Sequence, residues 1–261
     1  ALQVDGKILV GGTAPPEHRP LMRLHPDGSL DTSLAAEFCL SIHGGQPNLR
    51  HILVESDGQI ILAGRIVVPA PGGGILSAGL IRLNADGTYD TVFSTHSCSG
   101  DGFDALATQS DGKILLGDSG CLRRALTNGL PDTTFAPDLA ALGSQPAILA
   151  VAALPEGKIL VGKRSDSNDP SRYNGLALLN PDGSADDSFR AELNLAGAHW
   201  YAVAAQPDGS VLAAGSFTRV NGVTRDASVA RFHADGTLDP AFSPTGLTNH
   251  HLVNFARQSD G

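Results

Sequence analysis

The chain has 261 residues, a formal net charge of −9, 41% hydrophobic and 17% charged residues, 31 Gly, 16 Pro and three Cys. That length suits one large domain or two small ones, and the hydrophobic content is too high for a disordered chain. No apolar run reaches the ~20 residues of a membrane-spanning helix, and the basic residues are scattered singly where nucleic acid or an anionic membrane would demand clusters.

The opening segment, Ala1-Leu2-Gln3-Val4-Asp5-Gly6, has neither a basic start nor an apolar core, so any secretion signal is expected outside this chain. From there a phrase recurs: VDGKILVGG from Val4, SDGQIILAG from Ser56, SDGKILLGD from Ser110, PEGKILVGK from Pro155 and PDGSVLAAG from Pro207. A sixth start, Ser259-Asp260-Gly261, follows. A second phrase alternates with the first: RLHPDGSLDTSL from Arg23, RLNADGTYDTVF from Arg82, RALTNGLPDTTF from Arg124, LLNPDGSADDSF from Leu178 and RFHADGTLDPAF from Arg231. Five matches at fixed offsets identify an internal repeat, the pattern that decides architecture before any local reading.

Asp-Gly between apolar runs predicts a hairpin, read here as the two-residue kind in which glycine supplies positive φ. Two hairpins per repeat predict four antiparallel strands: in the second repeat, residues 51–55, 59–63, 80–83 and 88–93. The second strand of each repeat (Ile8-Leu9-Val10, Ile60-Ile61-Leu62, Ile114-Leu115-Leu116, Ile159-Leu160-Val161, Val211-Leu212-Ala213) is apolar without alternation, so both its faces must be covered. A small residue follows each time: Gly11, Ala63, Gly117, Gly162, Ala214. Close packing of neighbouring sheets explains that choice. The expected fold is all-β: a β-propeller of four-stranded antiparallel blades, about five of them, forming a single domain over 1–261. The repeats run approximately 1–51, 52–105, 106–150, 151–203 and 204–255, with 256–261 beginning or closing a further blade.

Arg23, Arg82, Arg124 and Arg231 precede the second turn by four residues, and Asp31, Asp90, Asp132, Asp186 and Asp239 follow it by four. The expectation is scaffold: a diagonal Arg–Asp pair, an Asp-closed local turn, or both. Leu178 stands where the fourth repeat would carry Arg. Residues 211–242, VLAAGSFTRVNGVTRDASVARFHADGTLDPAF, resemble the delta-60 repeat family of bacterial β-propeller proteins almost throughout, including the Gly-x-Phe-Thr and Val-Asn-Gly segments. The other repeats keep both Asp-Gly phrases and depart between them. The resemblance implies a secreted or surface-exposed bacterial protein, often part of a larger multidomain one, and carries no catalytic residues with it.

Both turns of a repeat fall at one end of its sheet, and the remaining connections at the other. From the small residue to the second turn the spacings are 16, 23, 11, 20 and 21, so that second end is variable. A rigid frame with divergent loops is the usual layout of a binding surface. His43, His96, His199, His250 and His251 fall in repeat-to-repeat connections, with Trp200 and Tyr201 beside His199. These are the candidate ligand-binding residues; for the two aromatics, stacking on a sugar or peptide stands against ordinary packing. A transition metal on His199 and His251, with Asp101 or Asp104 as carboxylate ligand, stands against plain surface histidines. Calcium at residues 101–104 or 166–169 stands against simple turns, since neither segment has complete ligand spacing. No cofactor motif is present. Cys98 and Cys121 flank the first hairpin of the third repeat, either as a disulfide or, with Cys39, as separate thiols.

The leading functional expectation is a non-enzymatic, extracellular or cell-surface interaction module for a protein or glycan, since no nucleophile elbow, phosphate loop or His-Glu-x-x-His pattern occurs. The alternatives are a metal-dependent hydrolase or lyase with its site at a central channel mouth, and a pure spacer within a larger protein. No nucleic-acid partner and no transmembrane segment are expected.

Overall fold

A computed structural model describes residues 1–14, 19–35, 48–69, 75–93, 102–138, 142, 147–164, 175–189, 191, 199–206, 208–217, 219–220, 223–224 and 228–244. The chain divides into two compact units. In the first, Ala1–Phe103 with Thr127–Leu130, β1 (Ile8–Ala14) pairs with β2 (Arg19–Leu24). There too, β3 (Asn48–Val54), β4 (Ile60–Pro69) and β5 (Ile75–Leu83) form a sheet in chain order.

The second unit is Asp104–Leu126 with Pro131–Gly261. One sheet holds β6 (Ala105–Thr108), β7 (Ile114–Gly117) and β8 (Leu122–Ala125). The next holds β9 (Ile148–Ala153), β10 (Ile159–Lys163) and β11 (Leu176–Leu179). In the last, β13 (Val211–Ser216) lies between β12 (His199–Ala205) and β16 (Val229–Phe232), while β14 (Arg219–Val220) and β15 (Val223–Thr224) form a small ribbon in the connection. Every pairing is antiparallel. Among the described residues no helix is long and apolar enough to cross a membrane.

The non-alternating strands β4, β7 and β10 are sheet centres, and their triplets Ile60–Leu62, Ile114–Leu116 and Ile159–Val161 are fully buried. Apolar area removed on both faces is the main stabilising term here. Within each unit the packing follows one rule. The middle residue of a strand-two triplet packs with the first and third residues of the next: Leu9 with Ile60 and Leu62, Leu115 with Ile159 and Val161, Leu160 with Val211 and Ala213. Within each unit the glycine that ends a triplet, Gly11, Gly117 or Gly162, faces the next repeat's first strand. A Cβ on Gly117 would lie 2.4 Å from Ile148 Cγ2, and one on Gly162 would lie 3.1 Å from Trp200 Cβ.

Two expectations are corrected. Among the described residues the sheets have three strands or two where four were expected: the predicted outer strand shrinks to single bridges at Leu30, Tyr89, Pro131, Ala185 and Leu238. The reason lies one residue on, where the recurring Asp turns its carboxylate back onto the chain. Oδ1 accepts the amide two residues later, from Ser33, Val92, Thr134, Ser188 and Ala241 respectively, so the backbone curls instead of extending. The hairpin turns are also not two-residue loops. In the second turn of repeat one, the Gly28 amide donates to the His25 carbonyl and the His25 amide to the Ser29 carbonyl, with Gly28 at φ 85°. This is a type I turn followed by a left-handed glycine, a three-residue loop. Asp27 needs no positive φ; its carboxylate takes the Ser29 amide and hydroxyl instead. Glu156 is the one described non-glycine residue in the left-handed region, at φ 60°.

Candidate functional site

Antiparallel register sorts the two ends of each sheet. Ile159 pairs with both Ala153 and Leu179, so both turns of that repeat lie at one end. Ile60, Ile114 and Val211 do the same in their repeats.

At the turn end the repeated charges form an interlock. Arg23 Nε donates to Asp31 Oδ2 at 2.7 Å, Arg82 to Asp90 at 2.8 Å, Arg124 to Asp132 at 2.8 Å and Arg231 to Asp239 at 2.7 Å. The same guanidinium then reaches the next hairpin. Nη1 donates to the Ala85 carbonyl from Arg23, to Thr127 from Arg82 and to Pro181 from Arg124. Arg82, Arg124 and Arg231 also lie over Phe93, Phe135 and Phe242, with guanidinium carbon 4.7, 4.5 and 5.0 Å from the ring centroid. The diagonal pair and the Asp-closed turn are therefore both present, on different oxygens of one carboxylate.

Repeat four solves the same problem without arginine. Lys158 Nζ donates to Asp186 Oδ2, Leu178 is buried, and Leu154 stands where other repeats carry Gln3, Gln109 and Gln206. Gln109 shows what was replaced: its Nε2 donates to the Gly157 carbonyl, and its Oε1 faces Arg124 Nη1 at 3.5 Å. The glutamine and the arginine have given way to leucine together.

Lys158 is the leading cause that holds the Asp186 carboxyl below its ordinary 3.8, at about 2. At Asp132 burial pushes the carboxyl up, but Thr134 and Arg124 outweigh it and the pKa ends low. The unfolded chain thus takes up protons before the folded one does. The stabilisation is complete above about pH 4 and is lost as pH falls through about 2. Denaturant midpoints are expected to drop steadily in acid below about pH 4, and Asp186→Asn to remove part of that slope; a wild-type midpoint flat down to pH 2 contradicts it.

The connection end is built differently. The first strands carry a bulge at one equivalent position, leaving Arg50, Leu149 and Tyr201 as the extra residues. Bulges re-aim side chains at sheet ends. Arg50 is exposed, Leu149 and Tyr201 half-buried. Burial, with Arg50 adjacent, pushes the His51 imidazole down to about 4, so it is neutral near pH 7. In the second unit Asp118 and Lys163 occupy the position held by Gly12, Gly64 and Gly215 elsewhere. Lys163 is fully buried and its Nζ donates to the Leu142 carbonyl at 2.6 Å. Asp118, also buried, accepts the Cys121 amide, and its carbonyl accepts the Ile148 amide. Sequence reading passed over both. The signal was there: a charge where the other repeats keep glycine.

Of the predicted site residues, His199 opens β12 opposite Ser216. Trp200 is fully buried, its ring 4.6 Å from Phe217 and edge-on to Phe232 at 5.9 Å, so its faces are occupied by protein. Its Nε1 has no hydrogen-bond partner among the described residues. The Asp104 amide donates to the Gly117 carbonyl. Cys121 is a free, half-buried thiol. His43, His96, His250, His251, Asp101, Cys39, Cys98 and the 166–169 segment lie outside the described residues. Among the described residues no three metal-ligating side chains come together.

The family model described as "Domain of unknown function (DUF5122) beta-propeller" matches residues 3–34, 55–93, 154–189 and 206–242. No curated protein matches the chain. Among solved structures, the extracellular domain of a putative one-component system from B. thetaiotaomicron is 15% identical, with TM-score 0.40, over 95% of this chain and 30% of that one. A putative gluconolactonase is 17% identical, with TM-score 0.46, over 86% and 74% of the two chains. A protein of unknown function from Dyadobacter fermentans is 15% identical, with TM-score 0.47, over 74% and 67%.

Proposed function

The chain belongs to the β-propeller family of the domain of unknown function DUF5122, and on that footing we propose that it is a non-enzymatic interaction module of the bacterial cell surface, binding a protein or glycan through the variable connections at one end of its sheets. The observation that carries this reading is the contrast between the ends. The turn end repeats one Arg–Asp pair in four of five repeats, and in three of them the same arginine also holds the next hairpin. The connection end spends its sequence on unequal spacings of 16, 23, 11, 20 and 21 residues, on bulges and on histidines in the repeat-to-repeat connections. A surface whose residues change while its frame does not is free to specialise.

The contact residues in this reading are His199 and Tyr201, with His43, His96, His250 and His251 in equivalent connections, while Trp200 packs against Phe217 and Phe232. The repeat in 211–242 supports the delta-60 assignment, and with it an extracellular place in a larger multidomain protein. A glycan array probed with labelled protein tests the module. Binding is expected to be lost when 165–174 is replaced by a Gly-Ser linker of equal length, and kept when Lys113→Ala alters the turn end. Metal analysis of the same preparation separates the enzyme reading. One equivalent of transition metal that disappears in His199→Ala and His251→Ala would replace the module with a metal-dependent hydrolase or lyase.

A further inference from the structure

The second turns of the repeats share one design, and one of them carries a different side chain. Asp27, Asp86, Asp182 and Asp235 precede the turn glycine in repeats one, two, four and five, and Asn128 precedes it in repeat three. Each of the four carboxylates accepts both the amide and the hydroxyl of the residue two places on: Ser29, Thr88, Ser184 and Thr237. Those bonds, the hydroxyl's first, hold the four carboxyls below their ordinary range, so they are ionised near neutral pH. An ionised carboxylate resists attack by a nucleophile.

Asn128 is built to react. Its carboxamide carries no charge, Leu130 brings no hydroxyl, and the Leu130 amide donates to Asn128 Oδ1 at 3.1 Å. A donor on that oxygen polarises Cγ and stabilises the negative charge that gathers there when a nucleophile adds. The nucleophile is the next residue's nitrogen, already held close by the chain itself. Gly129, at φ 82°, has no side chain to crowd ring closure, and Asn128 is exposed, so water has access.

We propose that Asn128 is a self-modifying site, which loses its amide without an enzyme by forming a cyclic imide with Gly129. Hydroxide takes the proton of the Gly129 amide, and that nitrogen attacks Asn128 Cγ. The N–Cγ bond forms, the Cγ–Nδ2 bond breaks, and the nitrogen leaves as ammonia after taking a proton from water. A second water then opens the imide at one carbonyl or the other, giving Asp-Gly or isoaspartyl-Gly. Nothing is oxidised or reduced. The turn is also a joint, since the Thr127 carbonyl accepts Arg82 Nη1 at 2.9 Å. The Asp product has the side chain of the other four turns and keeps this joint. The isoaspartyl product lengthens the main chain by an atom just before the buried Gly129, and so loosens it. None of this draws on the ligand-binding reading.

Ageing the whole chain in warm, mildly alkaline buffer, beside the same protein unfolded in urea, tests it by peptide mass mapping. In the folded chain the peptide holding Asn128 is expected to gain the mass of an amide-to-acid exchange and to split into two isomers, at a rate within about tenfold of the unfolded chain. Asp27→Asn places the same carboxamide in the equivalent turn of repeat one and is expected to convert as well. Asn128→Asp is expected to keep the urea midpoint of fresh protein, while aged wild type falls below it. Asn174 and Asn221 also precede glycine and lie outside the described residues; their peptides are read separately. A folded chain that keeps Asn128 intact while the unfolded one converts overturns the proposal, and so does an inert Asp27→Asn. Isoaspartyl protein with the urea midpoint of fresh protein overturns the effect on the joint.

Discussion

Gly183→Ala is expected to destabilise the second unit by about 2–4 kcal/mol, among the largest effects of any single methyl group in this chain. Two causes act together. Gly183 sits at φ 97°, where an L side chain is strained. Its Cβ would also lie 2.8 Å from Ala136 C, Pro137 N and Pro137 Cα, backbone atoms that cannot rotate away. Those atoms belong to the segment leaving repeat three, which is pinned to this turn by the bonds Ala136 N to Asp182 O and Asp138 N to Gly183 O. Relief therefore means breaking the contact between consecutive repeats. Gly28→Ala is the internal comparison. It shares the left-handed backbone, at φ 85°, but has nothing within 4 Å of a Cβ, so about 1 kcal/mol is expected. Urea unfolding of both variants checks this, and equal losses would show that the turn, not the contact, sets the cost.

Arg124→Leu is expected to cost about 3–4 kcal/mol, because it leaves a buried carboxylate behind. The Asp132 side chain is 3% exposed, and Arg124 supplies its 2.8 Å partner. The same change removes the donor to the Pro181 carbonyl and the cation over Phe135. Arg231→Leu removes the pair with Asp239 and the cation over Phe242 at a more exposed place, where water can take over, and about 1 kcal/mol is expected. Similar losses at the two positions would mean that the pair is worth no more buried than exposed.

The repeat, its turns and its buried middle strands were legible because each rests on local chemistry repeated five times. A lone Asp-Gly is a weak signal, whereas eight in register, with Asn128-Gly129 and Glu156-Gly157 at the two remaining turns, fix where the chain reverses. The missing fourth strand was not legible. Residues 88–93 alternate well enough for a strand, and only the Asp90 carboxylate, capping the Val92 amide, diverts them. The Arg–Asp pair could be read from spacing, but its second half could not, since Ala85, Thr127 and Pro181 contribute carbonyls that have no side-chain signature. Gln109 was missed for a related reason: a glutamine beside a turn looks like solvent-facing polarity until the Gly157 carbonyl is seen opposite it. At the connection end, Trp200 carried two readings in the sequence, and its position against Phe217 and Phe232 is a matter of tertiary packing that no local pattern encodes.

Repeat four poses the sharpest question for this account, because it replaces Gln and Arg by Leu154 and Leu178 while Lys158 takes over the carboxylate. Repeat three has the parts for the same exchange. Lys113 holds the place of Lys158 and now pairs with Asp111, and Lys7, at that place in repeat one, already reaches Asp31 at 3.1 Å. A double-mutant cycle on Gln109→Leu and Arg124→Leu therefore measures whether the turn-end residues act as one exchangeable unit. The predicted result is a double variant more stable than the sum of the single losses by about 1 kcal/mol or more, with Lys113→Ala costing more in that background than in wild type. Strict additivity, with Lys113 indifferent to background, would mean that the repeated side chains act separately and that no interlock joins the repeats.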